Sequence, residues 1–144
     1  MDSIVIIILI GLAGGMAIGL QSPLASMVSQ RLGVLESIFI VHLGGALAVI
    51  PLLIYSGTKF SNWRNVPWYA YFVGAFGLVV IFSMSYMIPR IGVAGALITL
   101  MAGQLLVGTI LDHYGLLGLD LRPMDIQRII GLAVVLVGVW LTVK

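Results

Sequence analysis

Two glutamines and a histidine are the side chains of this sequence best able to act on another molecule. Gln21, His42 and Gln104 each stand inside a long apolar run. Polar groups are costly in such surroundings and tend to have a task there. A side-chain amide donates and accepts hydrogen bonds, which suits a polar solute, and an imidazole can do the same or pass a proton near neutral pH. Gln21 precedes Ser22-Pro23, where the proline removes a backbone donor and favours a kink. Two readings follow: an opened helix exposing Gln21 to a cavity, or Gln21 and the serines re-satisfying the carbonyls that Pro23 frees. His42 is either a solute contact or proton relay, or a neutral ring donating to a neighbouring carbonyl. Gln104 lies off the small-residue face of its helix, so packing does not explain it, and it is the first candidate for a cavity wall. Tyr86 and Thr99, with Ser83 and Ser85, extend the same polar set, although Ser and Thr in apolar helices more often bond back to their own helix.

Other constellations point to structure. Glu36 lies six residues before His42, too far round and along a helix to pair with it, and suits the start of a helix, where a carboxylate complements the dipole. Asp112-His113 suggests a metal pair, but adjacent residues face different sides of a helix and no third ligand stands at zinc spacing. Interfacial capping is the better reading. There is no phosphate-binding glycine loop, no G-x-S-x-G, no H-E-x-x-H and no carboxylate pair at depth, so neither an enzyme nor a cofactor is expected. The seven methionines and five phenylalanines suit an adaptable apolar pocket, but at these spacings they read as lipid contact or core.

The elements that position these residues are membrane spans. Of 144 residues, 61% are hydrophobic and 8% charged, against about a quarter charged in a soluble domain. Mean hydropathy is +1.20. Too little polar surface exists to coat a water-soluble globule, and the absence of cysteine removes a disulfide scaffold. The seven basic residues are scattered singly and form no nucleic-acid stripe. Crossing about 30 Å of hydrocarbon takes roughly 20 apolar helical residues. Five spans are expected, over residues 4–25, 35–55, 68–88, 91–111 and 126–143, in a single domain of the all-α membrane class. Runs such as Ile4–Ile10 lack the alternation of a barrel strand. Met1-Asp2-Ser3 carries no positive charge ahead of the first run, so a retained helix is expected rather than a cleaved leader. Pro89-Arg90 is expected to close a tight hairpin between the third and fourth spans.

Five spans place the two ends of the chain on opposite faces. Lys59, Arg64, Arg122 and Arg128 fall on the N-terminal face, A, and Arg31, Arg90 and Lys144 on the other, B. The positive-inside rule needs a clear imbalance, and four against three is scarcely one. Either the longer loops fix face A in the cytoplasm, or the chain inserts both ways up. Tyr55, Trp63, Trp68, Tyr69 and Tyr114 cluster near A, with Tyr86 and Trp140 toward B, as interfacial rings do. Lipid solvates leucine as well as protein does, so helices associate through small residues. Gly11, Gly15 and Gly19 recur every fourth residue; Gly92, Gly95, Ala96, Thr99 and Gly103 share a face; Gly131 and Gly138 are seven apart.

The whole chain resembles a five-helix, half-size member of the drug/metabolite transporter superfamily, in its YdcZ-like family. The resemblance rests on the segments Gly11–Pro23, His42–Gly45 and Ile88–Ala96, and above all on Gly103–Gly118 followed by Arg122-Pro123. It implies one inverted-repeat half of a ten-helix transporter, completed by a second chain packed antiparallel as a homodimer, or by a similar chain as a heterodimer. It implies alternating access for a small metabolite-like solute in the inner membrane of a prokaryote, with lipid and solute as partners and no nucleic acid. Gln21, His42 and Gln104, with Tyr86 and Thr99 behind them, are the expected solute contacts. Two departures matter. Ala25 stands where many relatives carry an asparagine, and residues 4–25 lack the embedded glutamate on which four-helix multidrug exporters rely. A non-transporting membrane scaffold and a passive dual-topology channel are the alternatives from other classes.

Overall fold

A computed structural model describes residues 4–57 and 60–144; Lys59 and Met1-Asp2-Ser3 lie outside them. Among the described residues every regular element is helical and there is no strand. Four long helices appear: α1 (Ile4–Leu32), α2 (Val34–Ser56), α3 (Phe76–Tyr114) and α4 (Ile126–Val143). Among the described residues, four segments are long and apolar enough to cross a membrane, one of them the 47-residue stretch Trp68–Tyr114. Their outward apolar side chains are largely exposed, as in Ile4 at 71% and Leu20 at 71%, which is the surface lipid requires.

Several local expectations are corrected. The first helix does not stop or open at Pro23 but runs on to Leu32. Ser22 bonds back to Ile18 O at 2.8 Å, and the helix carries Pro23 in its interior without a break. The third element does not begin as α-helix at Trp68. Pro67 starts two 3-10 turns over Trp68–Ala75, and α geometry begins at Phe76. The Trp68 ring packs edge-on against Tyr69 and Phe72, and Trp63 against Tyr71, so this tighter coil presents a belt of rings suited to the headgroup level. Pro89-Arg90 does not end a helix. The break in α3 falls at Gly92, with φ 73° and ψ 171°, a conformation open essentially to glycine alone.

The chain divides into two compact units, Met1–Tyr86 and Met87–Lys144. In the first, α1 and α2 are joined through Gly33 alone, at φ 116° and ψ 158°. Gly33 N–H donates to Ser29 O at 3.0 Å, and Gly33 O accepts from Ser37 N–H at 3.1 Å, so one residue closes the hairpin. The core is small: Ala25 of α1, Ile38 of α2 and Ile81 of α3, with Val34 and Val41 packed against them. Ser37 reaches across the hairpin and donates to Ala25 O at 2.7 Å in a buried setting. In the second unit, residues 93–114 and α4 run antiparallel, with Gly138 beside Ile98 and Arg128 beside Asp112.

Candidate functional site

In the first unit the register of the helices sets which polar residues share a level. Ala25 pairs with Ile38, so one turn back along α1 brings Gln21 to the level of His42 one turn on along α2. His42 Nδ1 lies 2.8 Å from Ile38 O. A carbonyl only accepts, so the bond requires hydrogen on Nδ1, and a neutral ring then keeps Nε2 as an acceptor. The ring thus bonds a carbonyl of its own helix. Nε2 is directed at α3, where a Cβ built on Gly77 would stand 2.4 Å away. The ring therefore lies flush against the backbone of α3, and only a glycine admits it there. Gly77 does not stand out in the sequence, because its role depends on a residue 35 positions away.

Gln21 is exposed; one turn before Ala25, it stands at the edge of the buried line Ser22, Ala25, Ser26 and Ser29. Tyr86 is also exposed, at 55%, and lies nine residues beyond Gly77 along α3, about 14 Å at helical rise. The structure thus brings Gln21, His42 and Gly77 to one level and leaves Tyr86 well away from it. Glu36 occupies the first turn of α2 and folds back over Gly33, where its charge complements the helix dipole.

The second unit holds Thr99 and Gln104. Thr99 Oγ1 donates to Gly95 O at 2.7 Å and lines a groove of about 560 Å³ with Ile91, Leu136, Trp140 and Lys144. Lys144 Nζ sits 4.8 Å from the Trp140 ring centre at its mouth, a cation–π contact. Gln104 is exposed, and five residues on from Thr99 it faces another side of the helix. Asp112 and His113 hold the following loop. Asp112 O accepts from Arg122 N–H at 2.8 Å, and His113 Nδ1 accepts from Met124 N–H at 3.0 Å. Arg128 binds Arg122 O at 3.0 Å and faces Asp112 at 3.7 Å, while Asp125 caps α4 by accepting from Arg128 N–H at 2.8 Å.

Apolar helices with exposed flanks, a few polar side chains at depth and interfacial rings define a multi-pass α-helical membrane protein. A family model described as "Putative inner membrane exporter, YdcZ" matches residues 6–141, and the chain belongs to that family. At that level it is a multi-pass transporter of the inner membrane that handles a small solute. No curated protein and no solved structure matches the chain.

Proposed function

We propose that this chain crosses the membrane five times and forms one inverted half of a ten-helix transporter. Two copies pack antiparallel and move a small metabolite-like solute by alternating access. The observation that carries this reading is the bare glycine face of α1. Gly11, Gly15 and Gly19 are spaced for close helix packing, yet no atom beyond their own helix backbone lies within 4 Å of where their side chains would begin. A second copy supplies the missing helix. The stretch Trp68–Tyr114, at 47 residues, is about 70 Å long at helical rise and more than twice the hydrocarbon thickness of about 30 Å. The break at Gly92 accordingly divides it into a third and a fourth span. The near-even basic count on the two faces suits insertion in both orientations.

Gln21 and His42, which share a level in the first unit, are the solute contacts proposed there, and Gln104 and Thr99 those proposed for the second unit, each on its polar type in an apolar run. Tyr86 takes a place nearer face B. Sidedness tests the architecture, because the chain has no native cysteine. Single cysteines at Ser61 and, separately, at Lys144 are labelled in intact cells with a membrane-impermeant maleimide, before and after permeabilisation. Half-labelling of each from outside is the expected result. Full labelling of one and none of the other would overturn dual insertion. Saturable counterflow of a panel of metabolites in proteoliposomes separates a transporter from a channel or a scaffold.

A further inference from the structure

Among the described residues, one arrangement recurs at the hydroxyls of the helices, and two serines have a buried hydroxyl with no protein partner at all. Ser22, Thr99, Thr109 and Thr142 each donate to the carbonyl four residues back at 2.7–2.8 Å. That is the usual solution for a hydroxyl in an apolar helix. Ser29 and Ser85, both of the first unit, have buried Oγ atoms with no protein partner, and Ser29 is 8% exposed. The cause at Ser29 is visible. Its natural acceptor is Ala25 O, and Ser37 from α2 already donates to that oxygen at 2.7 Å. At Ser85 a second oxygen is short of a donor, because Pro89, four residues on, has no N–H to give the Ser85 carbonyl.

The two orphans stand at one level. Ala25 and Ile38 pack together and Ser37 bonds across them, so one turn further along α1, and one turn back along α2, Ser29 comes level with Val34. Between α2 and α3, His42 lies over Gly77 and Ile38 packs with Ile81. The two helices are therefore antiparallel, and one further turn brings Ser85 level with Val34 as well. Val34 is partly buried against the same core. Two unpaired hydroxyls and one carbonyl short of its helical donor thus flank a single residue at the end of a three-helix core.

Buried polar groups in native proteins are nearly always satisfied, by protein or by ordered water, and buried waters make two to four hydrogen bonds to groups that protein leaves unpaired. We propose that a bound water bridges Ser29 of α1 and Ser85 of α3 at the level of Val34. It accepts from the two hydroxyls and donates to the Ser85 carbonyl. The site ties α1 to α3 at the end of the core.

A double-substitution cycle on the purified full chain in detergent tests this through the unfolding midpoint. Removing either partner of a bridge loses the whole bridge, so Ser29→Ala and Ser85→Ala should each lower the midpoint by a few degrees. The double variant should fall no further than the worse single one. Midpoints that rise or stay level, as when unsatisfied hydroxyls are simply removed, would overturn the proposal, and so would effects that add. A crystal structure of the unsubstituted protein, at a resolution that places waters, decides independently of any variant. A water within hydrogen-bonding distance of both Oγ atoms is expected; a dry gap or a direct Oγ–Oγ bond refutes it.

Discussion

His42 and Gly77 form a close approach between two helices in the first unit. The imidazole is held from one side by Ile38 O at 2.8 Å and from the other by the bare backbone of α3. An alanine at Gly77 would place a methyl 2.4 Å from Nε2 and 2.8 Å from Cε1, so the ring must swing away or α3 must move. Overpacking of this kind costs about 1–3 kcal/mol. Gly77→Ala should therefore lower the unfolding midpoint in detergent, and the same change should cost little in a His42→Ala background. An equal loss in both backgrounds would show that the ring is not the obstacle. The two readings of His42 were both legible in the sequence, and the choice of carbonyl required only its own helix. The contact across to Gly77 required the register of α2 on α3, which no local pattern encodes.

At the scale of elements, single residues close the turns. Gly33 joins α1 to α2 at φ 116° and ψ 158°, backbone that other residues enter at a cost of order 1–3 kcal/mol, and a Cβ there would also stand 2.2 Å from the Glu36 carboxylate. Gly33→Ala should destabilise the hairpin through both effects. Replacing Glu36 as well should recover only the steric part, which the same melting experiment resolves. The link from α3 to α4 is built from polar contacts instead. Asp125→Ala removes the cap on α4 and should cost about 1 kcal/mol, seen as faster amide exchange at Arg128 and its neighbours. Asp112→Asn should change stability by less than about 1 kcal/mol, since the pair with Arg128 is 3.7 Å apart with side chains 38% and 40% exposed.

For the whole molecule, the informative surface is the one that stays bare. Residues 4–18 of α1 are exposed without exception, and their glycines meet no neighbouring helix of their own unit. Lipid can solvate leucine and isoleucine there, but a glycine groove gains most from another helix. Under the antiparallel-dimer reading, Gly15→Leu should shift the purified protein from a dimer toward the 15.4 kDa chain, read as protein mass in detergent by light scattering. The secondary structure should be unchanged, because leucine is the better helix former. A dimer that persists in the Gly15→Leu variant would place the interface elsewhere.

What composition and hydropathy determine here is the solvent. With 61% hydrophobic residues and long apolar runs that lack the alternation of a barrel strand, helices are the structure that satisfies every backbone group in lipid. The apolar segments and the interfacial rings were legible for that reason. The course of α1 through Pro23, the 3-10 turns over Trp68–Ala75 and the break at Gly92 rather than Pro89-Arg90 were not. A proline weakens a helix only by one donor and a ring, and neighbouring groups decide whether the helix tolerates it. The polar residues divide in the same way. Gln21, His42, Thr99 and Gln104 stood out by type alone, because a polar atom in an apolar run is conspicuous. That Gln21 shares a level with His42, that Gly77 must be bare and that Ser37 takes the acceptor of Ser29 depend on how three helices slide against one another. Close packing fixes that register, and it exists only once the helices have met.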